Sequence, residues 1–437
     1  MKKALVVSAV SSNGGKTLLT MALLHHFRER VRPFKIGPDF IDPQFHQKIS
    51  GVPSINLDGF MMNQNQVRWI FNRYQKEINI CEGVMGFYDG MDRGSSGYDI
   101  AKMLNIPTLL ILDGGGSYIT VSAVLKGLME FREDNTIKAV ILNHISSQMH
   151  FELIKKHIEA ESDEVIVIGW IKKNLQTIKS RHLGLDLDEL ESLELDKIAD
   201  SILENIDLSL LESIMGIESR EVREYPFKPI IKLDKKCALV NDKNFSFLYY
   251  DNLVYLREIY REVIIVDSTE DEEIPEDSDM VIIVGGYVET DESYQRVKES
   301  YRFKNSLINH AKSGRAIYAE CAGLIYLGRR IDNKEMTNIL PIEFTLNKRR
   351  ERLGYYQSIN YKTEEVKRGH AFHYSKVTKA PKGDIGLYKS SPTTIKDGGW
   401  IVGEIEASYL HLFWRVSPTE VLNNRKLFKT IFKITMI

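Results

Sequence analysis

The chain has 437 residues, enough for two domains, and its 43% apolar and 27% charged residues are typical of a folded soluble protein. With 58 Lys and Arg against 60 Asp and Glu, the net charge of -2 provides no global field to gather nucleic acid or an anionic membrane, and neither is expected as a partner. Cys81, Cys237 and Cys321 lie far apart with no C-x-x-C pair, which argues against a zinc site and a disulfide framework and fits a reducing cytoplasm.

The start, MKKALVVSAV, has the two lysines and apolar run of a signal peptide, but the run stops at Ser11 and feeds into a glycine turn, so it reads as a first strand. No apolar stretch approaches the roughly 18 to 20 residues needed to span a bilayer. ALVVSAV, INICEGVMG, TLLILDG, KAVILNHI and EVIVIGWI are short and rich in Val and Ile, as strands of a parallel sheet covered on both faces are. TLLTMALLHHFRER is the expected first crossover helix, and the alternation predicts a doubly wound α/β domain. Over 186–224 the composition shifts to Leu, Glu, Asp and Ser in helical spacing, followed by EYPFKPIIKLDKK, which places the domain boundary here. Domains are expected at 1–225 and 235–437. The second opens a new alternation: KKCALVND, EVIIVDS, DMVIIVGG and RAIYAECAG.

Between the first strand and helix lies VSSNGGKT, residues 10–17. Strand, turn and helix come in the order a phosphate-binding loop requires. Backbone N–H groups at Ser12, Asn13, Gly14 and Gly15 would hold phosphate oxygens, Lys16 would reach the outer phosphates, and the Thr17 hydroxyl would ligate magnesium. The G-x-x-x-x-G-K-[ST] pattern has glycine where Val10 stands, so a plain strand-turn-helix connection competes with the nucleotide site for this stretch alone.

KIGPDFIDPQFH places Asp39 and Asp42 among Gly37, Pro38 and Pro43, while CEGVMGFYDG places Glu82 at the end of an apolar run and Asp89 beyond it. In a doubly wound sheet the carboxyl ends of strands gather at one edge, where such acids meet phosphates, and magnesium on a nucleotide takes one or two carboxylates. Solvated loop acids are the alternative for any single one.

Together VSSNGGKT, FKIGPDFIDPQFH, NLD at 56–58, CEGVMGFYDG and RHLGL at 181–185 resemble the cobyrinic acid a,c-diamide synthases. These are glutamine-dependent amidotransferases of corrinoid synthesis, and their relatives in the wider dethiobiotin synthetase group share the cradle without its first glycine. The resemblance implies ATP and magnesium at Lys16 and Thr17, with Asp39 and Glu82 as further metal ligands. It implies Asp42 and Asp89 on the side of the tetrapyrrole carboxylate, and Asn143 where the wider group reads adenine. Family members commonly have Tyr where Phe40 stands, and DGGGSYIT is more glycine-rich than their pattern.

In the second half, RAIYAECAGLIYLG runs from an apolar β-branched segment through Cys321 into a helix, with Ala322 and Gly323 directly after it. That is the pattern of a nucleophile elbow, whose tight turn exposes the sulfur and whose helix amides favour the thiolate; a buried free cysteine is the alternative. A thiol nucleophile needs a base. ASYLHLFW puts His411 after the candidate strand WIVGEIEA, where it resembles the final histidine of the type I glutamine amidotransferase domain, a flavodoxin-like sheet, found in this family. MVIIVGGY puts Gly285 and Gly286 where the family forms its oxyanion hole from backbone amides. The chain departs from the family at Val288, usually Pro, and at Ala371, usually Glu between His370 and His373. Many amidotransferases carry a carboxylate two residues after the histidine, where Phe413 stands, so the group orienting His411 is unnamed.

The two halves imply one reaction, in which ATP activates a carboxylate and ammonia from glutamine displaces phosphate. The resemblance points to the a and c acetates of cobyrinic acid. Relatives acting on nickel-sirohydrochlorin or hydrogenobyrinic acid use the same motifs, and a member with a degenerate glutaminase half would still work with free ammonia. A nucleotide-switched partitioning ATPase would share the cradle and have no use for Cys321. The expected partners are a tetrapyrrole carboxylate, ATP and L-glutamine, and a homo-oligomer remains open.

Overall fold

The computed structural model describes residues 2–173, 180–181, 184–185, 192–216, 222–389 and 394–418. They fall into two compact units, Met1–Pro226 and Phe227–Ile437. Of the RHLGL stretch, the short paired strands Ser180–Arg181 and Gly184–Leu185 are described as backbone, and residues 182–183 lie outside the described residues.

In the first unit, β1 (Lys3–Ala9), β2 (Val31–Ile36), β3 (Ile55–Leu57), β4 (Ile78–Glu82), β5 (Thr108–Asp113), β6 (Ile137–Ile145) and β7 (Ile166–Lys172) form one sheet. All pairs are parallel, in the order β3-β2-β4-β1-β5-β6-β7. Leu5, Val7 and Ala9 of β1 and Leu109 and Ile111 of β5 pack on one face with Leu19 and Leu23 of helix α1 (Lys16–His26) and with Ala199 and Ile202. Leu110, Leu112, Val140 and Leu142 turn to the other face, against Val121 and Ile154. Burial of both faces is why these strands read as unbroken apolar runs. β2 and β3 escape such a reading because β2 carries Arg32, Pro33 and Lys35 and β3 has 3 residues. β1 lies where the order reverses, between β4 and β5. The carboxyl ends there flank the crevice in which open α/β sheets bind ligands.

The second unit has a parallel core in the spatial order Tyr260–Val266, Leu233–Val240, Met280–Ile283, Ala316–Glu320, Ile405–Ser408. This matches the expected α/β alternation, but the sheet continues with antiparallel strands Lys396–Val402, Ile385–Tyr388, Arg352–Asn360 and Val366–His373. WIVGEIEA is therefore not one strand. It contains a hairpin, turned at Gly403, whose φ of 59° is a left-handed conformation that glycine takes at little cost.

Candidate active sites

At the end of β1 the chain turns through residues 10–15, with left-handed backbone at Asn13 (φ 62°) and Gly15 (φ 95°). A Cβ on Gly14 would lie 2.7 Å from the Ala9 Cβ, and one on Gly15 would lie 2.7 Å from Asn143 Nδ2, so the turn closes around these two glycines. Val10 has no such constraint: its φ is not positive and its side chain is 42% exposed, so the turn needs no glycine there. Lys16 opens α1, and its buried Nζ donates to the Ser11 carbonyl at 2.9 Å, folding back over the cradle. Burial, and then the nearby Lys35, pull its pKa below the ordinary lysine value. Ser12 and Asn13 are exposed. Asn143 Nδ2 donates to the Gly14 carbonyl at 3.2 Å, so this side chain braces the cradle.

Below the cradle the carboxylates gather on a lysine that sequence reasoning missed. Lys35 Nζ, buried near the end of β2, donates to Asp42, lies 3.1 Å from Glu82 Oε1 and 3.9 Å from Asp39 Oδ2. Glu82, at the end of β4, accepts the Thr17 hydroxyl at 2.9 Å through the same Oε1. Its Oε2 lies 2.6 Å from His46 Nε2, and His46 Nδ1 lies 3.0 Å from Ser54 Oγ. Burial alone would raise the Glu82 carboxyl, yet Lys35 above all, then His46 and Thr17, hold it well below the usual carboxylate range. Burial likewise opposes charge on Lys35, but Glu82, Asp42 and Asp39 raise its pKa. Asp42 is pushed up to about 6 by burial, with Glu82 adding to the effect against the pull of Lys35. The signal for Lys35 was present in FKIG, a charge set between two apolar residues directly before the stretch that carries Asp39 and Asp42. For His46 it was the i, i+4 spacing from Asp42 on the helix Asp42–Ser50.

Replacing Lys35 with methionine keeps the stem and deletes the cation shared by three carboxylates. Breaking a buried pair costs roughly 3–5 kcal/mol, and a loss of that order is expected in urea unfolding of the variant at neutral pH. A change below about 1 kcal/mol would mean the carboxylates are held by other groups.

Asp39 Oδ1 accepts from the amides of Ile41 and Asp42 at 2.7 and 3.1 Å. Asn56 Nδ2 donates to the Gly37 and Asp39 carbonyls at 3.0 and 2.8 Å, which fixes this loop under the sheet edge. Asp58, the last residue of NLD, is buried and accepts from the Phe60 and Met61 amides at 2.9 and 2.8 Å. Phe40 is buried. Asp89 stands apart from the Lys35 cluster, exposed, with Oδ2 accepting the Gly86 amide at 2.7 Å. Among the described residues no three His, Cys, Asp or Glu side chains are arranged to hold a metal unaided. Thr17 and Glu82 instead converge as an oxygen pair near Lys16, the kind of partial set that magnesium completes with nucleotide phosphates.

In the second unit the strand Ala316–Glu320 breaks at Cys321, whose backbone (φ 47°, ψ -102°) turns sharply into the helix Ala322–Leu327. A cysteine held in such a conformation is strained, as nucleophile elbows are. Gly323 permits the turn, because a Cβ there would lie 2.5 Å from the Ile283 carbonyl oxygen. The Cys321 amide donates to the Ser408 carbonyl at 2.8 Å. The expected exposure of the sulfur is not found: Cys321 is 3% exposed, with Sγ 3.9 Å from the Phe372 carbonyl oxygen. Burial pushes the thiol up, Glu289 adds to this, and the Ala322 amide pulls the other way with less effect. Desolvation thus outweighs the helix amides, and the resting group is a thiol.

His411, just past the strand Ile405–Ser408, exchanges backbone hydrogen bonds with His370 at 2.8 and 3.0 Å. Its ring rests on Gly285, where a Cβ would lie 2.2 Å from His411 Cε1. Gly286 is equally confined, since a Cβ there would lie 2.0 Å from the Asn244 carbonyl oxygen. Val288 and Ala371 are fully buried in the core of this unit. Burial, and then His411, push His370 down to about 3, so this neighbour is neutral. Phe413 stacks on Tyr249 with ring centroids 4.0 Å apart. A carboxylate does approach the histidine from elsewhere: Glu320 Oε2 lies 3.5 Å from His411 Nδ1. Its signal in the sequence was an acid closing an apolar strand directly before the nucleophile.

Residues 236–418 match the CobB/CobQ-like glutamine amidotransferase domain family. Over most of its length the chain is similar to the cobyrinate a,c-diamide synthase of Fusobacterium nucleatum, at 36% identity over 413 residues covering 89% of this chain and 91% of that protein. The protein of that name from Saccharolobus solfataricus is 36% identical over 394 residues, covering 86% of this chain and 88% of its own. That of Listeria monocytogenes serovar 1/2a is 32% identical over 441 residues, covering 93% and 95%.

Proposed function

Because the chain belongs to the cobyrinate a,c-diamide synthase family, we propose that it converts the a and c acetate carboxylates of cobyrinic acid to amides, using ATP and glutamine. The observation that carries this reading is the pairing, in one chain, of the Lys16–Thr17–Glu82 arrangement with a buried cysteine elbow and its histidine. A partitioning-type ATPase has no use for the second of these.

In the first unit the amides of residues 12–15 and the Lys16 ammonium bind the ATP phosphates. Thr17, Asp39 and Glu82 would hold magnesium, which would supply charge neutralisation for the transferring phosphoryl group. In this reading Asp42 and Asp89 serve the side of the tetrapyrrole carboxylate, and Asn143 serves the nucleotide. The carboxylate takes the γ-phosphoryl group, and ammonia then displaces phosphate from the acyl phosphate to leave the amide. In the second unit the Cys321 sulfur attacks the glutamine amide carbon while His411 takes the thiol proton, and the amides at Gly285 and Gly286 receive the developing oxyanion. The reaction belongs in the compartment where corrinoids are made, which the free buried cysteines Cys81, Cys237 and Cys321 suit if it is reducing.

The direct test is product mass after incubation with MgATP, cobyrinic acid and either glutamine or ammonium. A diamide is expected from both nitrogen sources. Amide from ammonium alone would remove the glutaminase assignment, and no amide from any carboxylated tetrapyrrole, nickel-sirohydrochlorin and hydrogenobyrinic acid included, would remove the synthase reading.

A further inference from the structure

We propose that Glu320 is the carboxylate that orients His411 during glutamine hydrolysis, taking the part that a residue two positions after the histidine plays in many amidotransferases. The proposal rests on the reading of Cys321 as the glutaminase nucleophile. Phe413 occupies the usual position and cannot serve, since it lacks a carboxylate and its ring lies on Tyr249.

Three donors fix one oxygen of Glu320. Oε1 accepts the Tyr318 hydroxyl at 2.8 Å, the Trp414 indole N–H at 2.8 Å and the Leu412 amide at 3.4 Å. With Oε1 held, the carboxylate plane sets Oε2 beside the imidazole, 3.5 Å from Nδ1. Both residues are buried, Glu320 at 2% and His411 at 1% exposure, so their interaction is little screened by water. The partner segment is clamped as well: Asn252 donates to the Leu412 carbonyl and accepts the Trp414 amide, both at 2.8 Å, which pins the backbone on the far side of His411. Gly285 leaves room for the ring in that place.

At 3.5 Å the contact is longer than a hydrogen bond and acts through charge: the buried carboxylate favours the proton on Nδ1, which leaves Nε2 with its lone pair for the thiol. As sulfur bonds to the amide carbon, Nε2 takes the thiol proton and the imidazolium is neutralised by Glu320. The C–N bond then breaks with that proton passing to the leaving nitrogen, so ammonia departs and a thioester remains. Water adds to the thioester with Nε2 as base, glutamate leaves, and the sulfur recovers its proton. A resting thiol makes this base essential to every turnover. Glu320 is a positioning residue in this scheme, because it touches His411 and not the reacting atoms.

The test is glutaminase kinetics of the full chain, read as glutamate release, for Glu320→Gln and Glu320→Asp beside wild type, with thermal unfolding recorded for each. Glutamine at 320 can still accept from Tyr318 and Trp414 but cannot neutralise an imidazolium. The expected result is a kcat lower by roughly 10²–10⁴-fold with KM within about 3-fold of wild type, as when other triads lose their carboxylate. Glu320→Asp, which keeps the charge, is expected to recover part of that loss. A Glu320→Gln enzyme with wild-type kcat overturns the proposal, and so does a loss confined to KM or matched by an equal loss in the charged variant. Wild type that releases no glutamate would instead overturn the glutaminase reading itself.

Discussion

Changing Lys16 to alanine is expected to end amide formation with glutamine and with ammonium alike. The ammonium group is anchored over the cradle by the Ser11 carbonyl, with its stem buried, so its position is set before any nucleotide arrives. Preorganised charge of this kind acts on the transferring phosphoryl group at little reorganisation cost, and removing one such donor typically costs about 10²–10³-fold or more in rate. The nitrogen source enters after this step, so neither source can bypass it. Lys16→Met, which keeps the buried stem, separates loss of charge from loss of packing: both variants should fail equally in product formation. Ammonium-supported amidation within about 3-fold of wild type in either one would mean that Lys16 braces the turn and does no more.

Cys321→Ala should show the opposite selectivity. Glutamine-dependent product is expected to fall by at least about 10³-fold, because the covalent step has no other sulfur to use, whereas product from ammonium should persist. The substitution is mild for the fold. Alanine bears the same Cβ in the same strained turn, and the hydrogen bond from residue 321 to Ser408 comes from the backbone. Glutamate release is the sharper readout, since it does not depend on the tetrapyrrole. Persistent glutamate release by the alanine variant would place the nucleophile elsewhere.

The parts of both sites that were legible in the sequence are those set by neighbours in the chain. Gly14, Gly15, Lys16 and Thr17 are fixed by one turn between β1 and α1, and Cys321 by the break between its strand and helix. Glu82 could be found because it ends an apolar strand that delivers it to the sheet edge. Lys35 and Glu320 were missed for the converse reason. Lys35 meets Glu82 across 47 residues, and Glu320 meets the Trp414 indole across 94, so the local signal each carries, a charge at or near the end of a strand, does not say what it meets. Burial of the Cys321 sulfur is also a property of the assembled unit, in which the Phe372 carbonyl from a distant strand approaches it, and the elbow sequence alone suggested exposure. The same limit applied to WIVGEIEA, where one glycine conformation turned an apparent strand into a hairpin.

The clamp on His411 also has a bearing on when this centre comes into being. Asn252 reaches the segment after His411 across 160 residues of chain, and the histidine's own backbone partners, at His370, belong to a third stretch. Contacts of such large sequence separation carry their loop-closure entropy before they return any stabilisation, which makes them slow to form. The histidine and its carboxylate are therefore expected to meet only once the strand Ile405–Ser408 has paired beside Ala316–Glu320 and the stretches holding Asn252 and His370 have joined them.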